Sequence, residues 1–375
     1  VPGGYSEIEI TCESFGNVGQ ISDEMVILSS ELPEGLSVAL SATLSQGNFL
    51  SGSISGELPP DEYIVVNDIY VDSEANLILK PGTKLLFSGQ HHFFIQGELI
   101  AEGTEQDSII FDNYEGAHWR GFKLNNVTNQ TILEYIRISG VYNVDGYDGG
   151  EGGGMYLISS HPIIRHATIS GNHSRFGGGI SLQSSDPILT NVNIINNIVD
   201  VYGGGMQLDF SNPIMTNVTI SNNLSYVEVA GIRLEESHPT LTNVEISNNV
   251  SASSGYGNAI SLFMSNPIIT NVTISNNTSN ESQYGGVVFI ISSSPILTNV
   301  ILWDNDPELN IGVETPEGGE YAIKSLKAAT DDLAASKIDV LVTAPINKHN
   351  VQSSEFNFPG HTEFLAKLSN VDNAL

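Results

Sequence analysis

The sequence predicts a mainly β chain that winds into a parallel β-helix, and three observations support this. The segment from Met155 to about Asn305 repeats one pattern six times. Small residues precede an apolar–polar–apolar triplet, a Ser-x-Pro turn and, in most copies, an Asn-Asn pair. The prolines recur every 25–28 residues, and the spacing on either side of each proline is constant. Repeats of this length that keep their register indicate a solenoid, in which each copy stacks on the previous one.

The repeated segment predicts short strands joined by fixed corners, without helices. Runs such as Ile180–Leu182 and Val218–Ile220 alternate apolar and polar residues between turn-forming residues, which is typical of strands. With three such runs, each copy can form one coil. Successive coils lie about 4.8 Å apart, the spacing of neighbouring strands. Residues at equivalent places in successive copies should therefore form columns along the stack.

Two of these columns consist almost entirely of one polar residue type. A serine precedes each proline by two residues, and an asparagine follows most of the prolines by four. Asn both donates and accepts hydrogen bonds, so we expect the asparagine column to satisfy buried polar groups from coil to coil. The serine column comprises Ser160, Ser185, Ser211, Ser237, Ser265 and Ser293, and the asparagine column comprises Asn191, Asn217, Asn243, Asn271 and Asn299.

The copies that read TNVTISNN, Thr216–Asn223 and Thr270–Asn277, resemble coils of the right-handed parallel β-helix proteins of the pectate-lyase-like superfamily. The resemblance extends over residues 57–305. It implies a right-handed coil, a location outside the cell or on its surface, and a binding or structural role. A polysaccharide or cell-surface glycan is the expected partner. The less regular strands between Glu62 and Asn125 are expected to form the first coils and a cap over the core.

The N-terminal residues 1–45 have a different pattern. Short alternating runs around Ile8, Met25 and Val38 are separated by Gly, Pro and Ser. We interpret them as the last strands of an immunoglobulin-like sandwich, because so short a segment buries too little surface to stand alone. Residues 56–60 are expected to be a linker. Since the chain begins with Val1 and not with Met, we expect it to be a piece of a longer protein.

Composition excludes some classes of function. The chain has 43 acidic and 13 basic residues, giving a net charge of −30, and no basic residue lies between Arg233 and Lys324. Nucleic-acid partners are not expected, because phosphates require clustered Lys and Arg. Cys12 is the single cysteine, so disulfides do not hold the fold. No apolar run is long enough to span a membrane.

The first candidate site lies on the outward face of the repeated strands. Asp209 and Glu235 occupy equivalent positions on successive coils, with Arg233 beside them. Paired carboxylates with an Arg suit acid–base catalysis on a uronate sugar, as in a polysaccharide lyase or hydrolase. The alternative is a salt-bridge cluster on a solvated sheet face. The Asp and basic clusters of pectate lyases and polygalacturonases are not found in this sequence, which favours a non-catalytic role.

The second candidate is a calcium site in the glycine-rich turn VDGYDGGEGGG. Asp145, Asp148 and Glu151 supply the oxygen ligands that Ca²⁺ prefers, although their spacing is not that of an EF-hand. A solvated acidic loop is the alternative.

A third candidate is the aromatic residue that precedes the small residues of several copies. Stacked rings there would suit a sugar-binding platform, or would simply close the corner of each coil. These residues are Phe176, Tyr202, Tyr256 and Tyr284.

The C-terminal segment predicts an α/β unit. Glu317–Ser336 has the apolar spacing of an amphipathic helix, and Ile338–Ala344 reads as a buried strand. The motifs TAPINK and PGHTEF that follow resemble those of the 4-hydroxythreonine-4-phosphate dehydrogenases of pyridoxal phosphate biosynthesis, over residues 312–375. The resemblance implies that His361 and Thr362 contact a phosphorylated substrate.

A complete dehydrogenase of this family is implied to be a cytoplasmic homodimer that uses NAD and a divalent metal. The family's metal-ligating histidines and most of its cofactor-binding region have no counterpart in this chain. We therefore expect no dehydrogenase activity from this segment as it stands, and an oxidoreductase of pyridoxal phosphate biosynthesis is the alternative function. Because an exported β-helix and a cytoplasmic enzyme belong to different compartments, we expect two unrelated gene pieces to have been joined.

Overall fold

The computed structural model describes residues 19–29, 32–44, 48–144, 152–252, 258–279, 287–303, 305 and 316–335, and residues 341, 347, 349, 351–353 and 356–368 of the C-terminal segment. In chain order the strands are β1 (Gly19–Ser29), β2 (Leu32–Leu44), β3 (Asn48–Ser53), β4 (Gly56–Leu58), β5 (Glu62–Val71), β6 (Asn76–Leu79), β7 (Lys84–Phe87), β8 (Phe93–Ile95), β9 (Glu98–Glu102), β10 (Ile109–Asn113), β11 (Phe122–Asn125), β12 (Ile132–Glu134), β13 (Ile136–Ile138), β14 (Tyr142–Asn143), β15 (Met155–Ile158), β16 (Ile163–Arg165), β17 (Thr168–Ser170), β18 (His173–Phe176), β19 (Ile180–Gln183), β20 (Ile188–Ile195), β21 (Ile198–Tyr202), β22 (Met206–Asp209), β23 (Ile214–Ser221), β24 (Leu224–Ser225), β25 (Ile232–Glu235), β26 (Thr240–Thr242), β27 (Glu245–Ser247), β28 (Val250–Ser251), β29 (Ile260–Phe263), β30 (Ile268–Ser275), β31 (Thr278–Ser279), β32 (Val288–Ile291) and β33 (Ile296–Trp303). The helices are α1 (Pro316–Ala334) and α2 (His361–Leu368).

From β3 to β33 the chain forms a β-solenoid of about nine turns, as the repeat predicts. Three long parallel sheets run along its axis. The first sheet passes from the end of β5 through β8, β11, β15, β19, β22, β25 and β29 to β32. The predicted alignment of Met155, Ile180 and Met206 is the register observed. The fold class predicted for this region is therefore confirmed.

The second and third sheets share their longest strands. The second runs from β4 through β6, β9, β12, β16, β20, β23, β26 and β30 to β33. The third runs from β5 through β7, β10, β13, β17, β20, β23, β27 and β30 to β33. A fourth, small sheet of β14, β18, β21, β24, β28 and β31 precedes the first sheet in each of these coils. Strands β20, β23, β30 and β33 belong to two sheets because each bends at an asparagine.

The core is a continuous stack of apolar side chains. In one coil, Leu182, Leu189 and Ile194 come from the three long sheets and are fully buried. Aromatic residues take over this role in the earlier coils, where the rings of Phe87 and Trp119 stack with centroids 4.0 Å apart. Each large apolar side chain buried in this way stabilises the fold by about 1.5–3 kcal/mol.

The corners of the coils explain the asparagine column. Asn191 and Asn217 have φ angles of 55° and 54°, in the left-handed region that Asn tolerates better than most residues. Their side chains bond in series: the Asn217 amide donates to Asn191 Oδ1 over 3.0 Å, and the Asn243 amide donates to Asn217 Oδ1 over 3.1 Å. The predicted asparagine column therefore exists, with hydrogen bonds from coil to coil. However, the expectation that it satisfies buried groups was wrong, because Asn217 and Asn243 are exposed at the outer corner.

A different asparagine column supplies hydrogen bonds to the buried polar groups of the interior. It contains the second residue of each Asn-Asn pair and its equivalents in the other coils. In each step the side-chain amide donates to the carboxamide oxygen of the next coil over 2.8–3.1 Å, and the backbone N–H donates to the same oxygen. The column comprises Asn172, Asn197, Asn223, Asn249, Asn277 and Asn305. The predicted serine column is also present, with each Oγ accepting a backbone N–H of the preceding coil.

The solenoid begins earlier than predicted. Asn48–Ser53 and Gly56–Leu58 pair in parallel with the next coil, so coiling starts near residue 48 and not at 57. The stretch predicted as a linker therefore contains a strand. Before it, β1 and β2 form an antiparallel hairpin. The immunoglobulin-like sandwich proposed for residues 1–45 stays a prediction.

The C-terminal segment contains the predicted helix, observed as α1. Ile323 and Leu326 of α1 pack with Val351, Phe356 and Phe364 in a second apolar cluster. Of the predicted strand Ile338–Ala344, only Leu341 is described. Among the described residues, neither helix is long and apolar enough to cross a membrane.

Candidate functional site

Arg233 is the centre of the candidate site on the first sheet. Strands β22 and β25 are paired so that Asp209 lies opposite Glu235 and Gln207 lies opposite Arg233. The guanidinium reaches both carboxylates: Nη2 lies 2.7 Å from Glu235 Oε2, and Nη1 lies 3.4 Å from Asp209 Oδ1. Gln207 donates to the other oxygen of Asp209 over 2.6 Å. The structure thus brings the three predicted site residues together.

Aromatic rings hold the guanidinium from two sides. The Arg233 guanidinium carbon lies 4.2 Å from the ring centroid of Tyr202 and 5.3 Å from that of Phe263. The Arg233 side chain is only 13% exposed. A cation held by ring faces and two carboxylates has little freedom to move, so the positions of the acidic side chains around it are set in advance.

Glu228 completes the cluster and was missed by the sequence analysis. Its backbone N–H donates to Val201 O, which fixes it beside Tyr202, and its carboxylate lies 4.0 Å from Arg233 Nε. Burial raises the pKa of Glu228; Arg233 opposes this shift and Glu235 adds to it. Glu228 lies between the Asn-Asn pair and the small residues, where copies differ in length, so no sequence column marks it.

Tyr202 is a second group whose acidity is changed by the site. Burial raises the pKa of its hydroxyl, the guanidinium of Arg233 lowers it, and the surrounding carboxylates raise it again. Its ring also packs against Phe176 of the preceding coil, with centroids 4.8 Å apart. The predicted aromatic column is therefore real for these two residues, while Tyr256 and Tyr284 lie outside the described residues.

The outward face near Arg233 is less solvated than predicted. Ser181, Gln207 and Ser261 are almost completely buried, although their side chains alternate with those of the core. The glycine turn before each strand folds back over this column: a Cβ on Gly203, where φ is +76°, would lie 3.0 Å from the Gln207 Cβ. Asp209, Glu228 and Glu235 remain accessible beside this covered column. The site is thus a partly buried cluster of charged side chains and not a fully solvated sheet face.

The charge of the site is strongly negative. Among the described residues, Arg233 is the only Lys or Arg paired with the carboxylates of the site, and Arg175 lies over the adjacent Phe176 ring. Three carboxylates (Asp209, Glu228 and Glu235) face this one guanidinium, so three negative charges and one positive charge leave an excess of two negative charges when all are ionised. Such an excess repels anions and attracts cations.

The predicted calcium ligands Asp145, Asp148 and Glu151 lie outside the described residues, so the proposed Ca²⁺ site stays a prediction. Within the part of the chain that the structure describes, no group of three or more His, Cys, Asp or Glu side chains is arranged to hold a metal ion.

His361 and Thr362 are the first two residues of α2. The His361 Nδ1 atom is buried and has no hydrogen-bond partner among the described residues, whereas Thr362 is exposed. Behind them, the Phe364 ring packs against the rings of Phe356 and Phe358. The aromatic cluster thus holds the start of this helix, and the two predicted substrate-binding residues lie next to each other there.

Comparisons with known proteins match two families to overlapping parts of the chain. Residues 135–270 match the family described as right handed beta helix region, and the coils place this part of the chain in that class. Residues 257–375 match the family described as pyridoxal phosphate biosynthetic protein PdxA. The first 47 residues of the latter match (257–303) include β29 to β33, which are coils of the solenoid.

Individual relatives support the second match. A 4-hydroxythreonine-4-phosphate dehydrogenase of Bacteroides thetaiotaomicron is 42% identical over 73 residues, which is 19% of this chain and 20% of that enzyme. A D-threonate 4-phosphate dehydrogenase of Pectobacterium atrosepticum is 39% identical over 66 residues, covering 17% and 20% of the two chains. The chain therefore spans about a fifth of the length of these relatives. No solved structure matches significantly.

Proposed function

We propose that the solenoid is a non-catalytic glycan-binding protein that acts outside the cell or on its surface, with the side-chain cluster around Arg233 as its binding site. The observation that carries this proposal is the arrangement of Asp209 and Glu235 on one guanidinium, beside the ring of Tyr202. Carboxylate oxygens held in place accept hydrogen bonds from sugar hydroxyls, and neighbouring rings pack on the apolar faces of sugars. Holding these groups in advance lowers the entropy cost of binding.

The arrangement predicts that Arg233 supports binding by positioning the carboxylates. We expect Arg233→Met to weaken binding of soluble oligosaccharides by tenfold or more, because the released carboxylates repel each other and lose their fixed orientation. Titration calorimetry against a panel of neutral, amino and acidic oligosaccharides measures the effect. Arg165→Met is the matched control, because Arg165 forms a similar ion pair with Glu134 on the second sheet, over 3.0 Å. The proposal fails if the wild-type protein binds none of the panel, or if both variants bind as the wild type does.

A polysaccharide hydrolase is the second candidate function. Burial raises the pKa of Glu228, as suits a proton donor, and Asp209 and Glu235 supply two further carboxyl groups in contact with Arg233. Glycoside hydrolysis needs two carboxyl groups, one as the general acid and the other as the base or nucleophile. New reducing ends from a neutral polysaccharide, lost in Glu228→Gln, would replace the binding proposal with this one.

The lyase alternative is less well supported. A uronate carboxylate would need a cation to bind to, but Arg233 is already paired with Asp209 and Glu235. It would also enter a site with two excess negative charges. We therefore expect no unsaturated product from polyuronates, measured by the absorbance of the new double bond.

We propose that the C-terminal segment is a piece of a dehydrogenase that does not form a complete active site from residues 312–375 alone. In a complete enzyme of this kind, His361 and Thr362 would contact the phosphorylated substrate, and NAD and a divalent metal would bind mainly to parts with no counterpart in this chain. We expect no NAD reduction with 4-phosphohydroxy-L-threonine at any metal concentration. Turnover that is lost in His361→Ala would show that this segment is active after all.

A further inference from the structure

Turns of unequal length leave a notch at one corner of the first coils. The turns formed by residues 72–75 and 126–131 are both longer than the turn of residues 96–97 that lies between them in the stack. Backbone N–H groups of the short turn donate to Val71 O over 2.8 and 3.0 Å, which holds it close to the preceding coil. A cavity of about 250 Å³, the notch, opens over this short turn, with the two longer turns as its walls.

The notch is lined mainly by polar side chains. The Asn76 amide donates to Glu98 Oε2 over 2.9 Å, which fixes that carboxylate in the lining. Among the described residues, the side chains of Glu74, Gln96 and Gln130 also line the notch and have no hydrogen-bond or ion-pair partner. Carboxamides and carboxylates are the groups that pair with sugar hydroxyls. Since pockets for drug-sized ligands measure about 300–1,000 Å³, the notch suits a single sugar unit.

Two aromatic rings lie beside the notch on the outward face of the first sheet. Tyr70 and Phe94 are paired on neighbouring strands, and their rings stack with centroids 5.0 Å apart and an angle of 7° between the planes. On the other side of Tyr70 its strand neighbour is Ser53, which is too small to cover the ring, and Tyr70 is 37% exposed. Gln96 follows Phe94 by two residues, so it lies on the same face about 7 Å further along the strand. An exposed ring and the notch are therefore adjacent.

The charges around the notch favour a neutral sugar. Its lining contains the carboxylates of Glu74 and Glu98 and no Lys or Arg, so a uronate would meet charge of its own sign. Lys123 is the strand neighbour of Phe94, but its ammonium lies 5.7 Å from the ring centroid of Tyr156, in the coil on the side away from Tyr70.

We propose that the notch and the Tyr70–Phe94 pair form a second binding site, which takes a neutral hexose oligosaccharide. One sugar ring packs on the face of Tyr70 that is turned away from Phe94, and the next unit fills the notch and bonds to Gln96 and Glu74 through its hydroxyls. Tyr70 lies in the same outward column as Arg233 but six strands away, roughly 29 Å by strand spacing. The second site therefore goes beyond the function proposed for the Arg233 cluster and does not depend on it.

Titration calorimetry of the whole chain with cellotetraose, maltotetraose and mannotetraose tests the proposal. We expect at least one of these to bind, and Tyr70→Ala to weaken that binding by about tenfold through the loss of a ring contact. Tyr70→Phe keeps the ring and should bind as the wild type does. Gln96→Ala should weaken binding by about fivefold, because a hydrogen bond is lost. A galacturonate tetramer should bind at least roughly tenfold more weakly than the neutral tetramer.

Phe49→Ala is the matched control. Phe49 is an exposed ring (44%) in the same coils, but it pairs with Ile64, which belongs to the third sheet. Its removal should leave binding unchanged, which separates recognition at the notch from a general effect of losing an exposed ring. Thermal melting of each variant verifies that it folds.

The outcomes separate this site from the Arg233 cluster. If no neutral tetramer binds, or if Tyr70→Ala and Gln96→Ala bind as the wild type does, the second site is wrong. It is also wrong if Phe49→Ala weakens binding as much as Tyr70→Ala does, and a galacturonate tetramer that binds equally well overturns the neutral class of ligand. Binding that is lost in Tyr70→Ala and kept in Arg233→Met supports the second site. The reverse result would leave the Arg233 cluster as the glycan-binding site.

Discussion

At the scale of single residues, the two asparagine columns show that one residue type serves two purposes. Asn217 is at an exposed corner, and its main contribution is to adopt a φ of 54° at low cost. Asn223 is 1% exposed and links three coils: it accepts from Asn197 and donates to both Asn249 and Ile194 O. Loss of a side chain from these two columns should therefore have very different consequences.

We expect Asn223→Ala to lower the free energy of unfolding by about 2–4 kcal/mol, because it removes the oxygen that accepts from the buried backbone N–H and side-chain amide of Asn197 and the amide that donates to Ile194 O. Asn217→Gly is the matched control, since glycine also adopts positive φ, and it should cost less than about 1 kcal/mol. Urea denaturation followed by circular dichroism measures both. Equal losses would show that the inner column is not a special contributor to stability.

Glu228 gives the stability of the protein a pH dependence. Because burial raises its pKa above the ordinary value of 4.5, the folded protein binds this proton more tightly than the unfolded chain does. The contribution of Glu228 to stability is therefore fully present below that value and is lost as the pH rises through the raised pKa.

Glu228→Gln removes this loss, so its stability relative to the wild type should increase between about pH 4 and about pH 7. Thermal melting across this range measures the difference, with Glu245→Gln as the control for one lost charge. A difference between Glu228→Gln and the wild type that does not change with pH would contradict the raised pKa.

At the scale of elements, the glycines that precede the first sheet decide whether a coil can close. A Cβ on Gly205 would lie 2.5 Å from the Ile220 side chain and 2.9 Å from the carbonyl oxygen of Gly231 in the next coil. Gly171 is in the opposite situation: its φ is +66°, nothing lies within 4 Å of its Cβ position, and most later coils have Asn there. Glycine thus occurs at these two positions of the repeat for different physical reasons.

We expect Gly205→Ala to destabilise the protein by about 1–3 kcal/mol, through overpacking against the next coil. Gly171→Asn should change the free energy of unfolding by less than about 1 kcal/mol, since Asn tolerates this backbone conformation. Denaturant titration of both variants tests the distinction, and it would be refuted if Gly171→Asn were the more harmful change.

At the scale of the whole molecule, the chain combines two folds with no shared pattern. The solenoid core and the C-terminal apolar cluster are separate sets of side chains. The apolar side of α1 is occupied by Val351, Phe356 and Phe364. Together with the similarity to about a fifth of each dehydrogenase, this supports the expectation that two gene pieces have been joined.

We therefore expect that amplification of source DNA across the codons for Ile301 to Glu320 yields no product, while each side is recovered in its own context. A continuous long read through these codons would establish a genuine fusion. The C-terminal segment would then need a function of its own in the same compartment as the solenoid.

Much of the solenoid was predictable because stacking turns a repeat into a set of columns. The register of the first sheet and the serine column follow from constant spacing, since a shift of one residue would turn the apolar side chains away from the core. The spacing also placed Asp209, Arg233 and Glu235 on neighbouring coils. The predicted α1 follows from its helical apolar period.

Only the tertiary structure decided which columns are buried and what surrounds Arg233. The inner asparagine column and the outer one have equally regular spacing, and the bend of each strand alone determines which of them points into the core. Glu228 comes from a segment of variable length, so that its approach to Arg233 depends on how the turn folds back over the first sheet. The sequence by itself therefore determined the solenoid and its register, because these depend on spacing along the chain. Burial, the ion pairs of Arg233 and the raised pKa of Glu228 depend on distances through space.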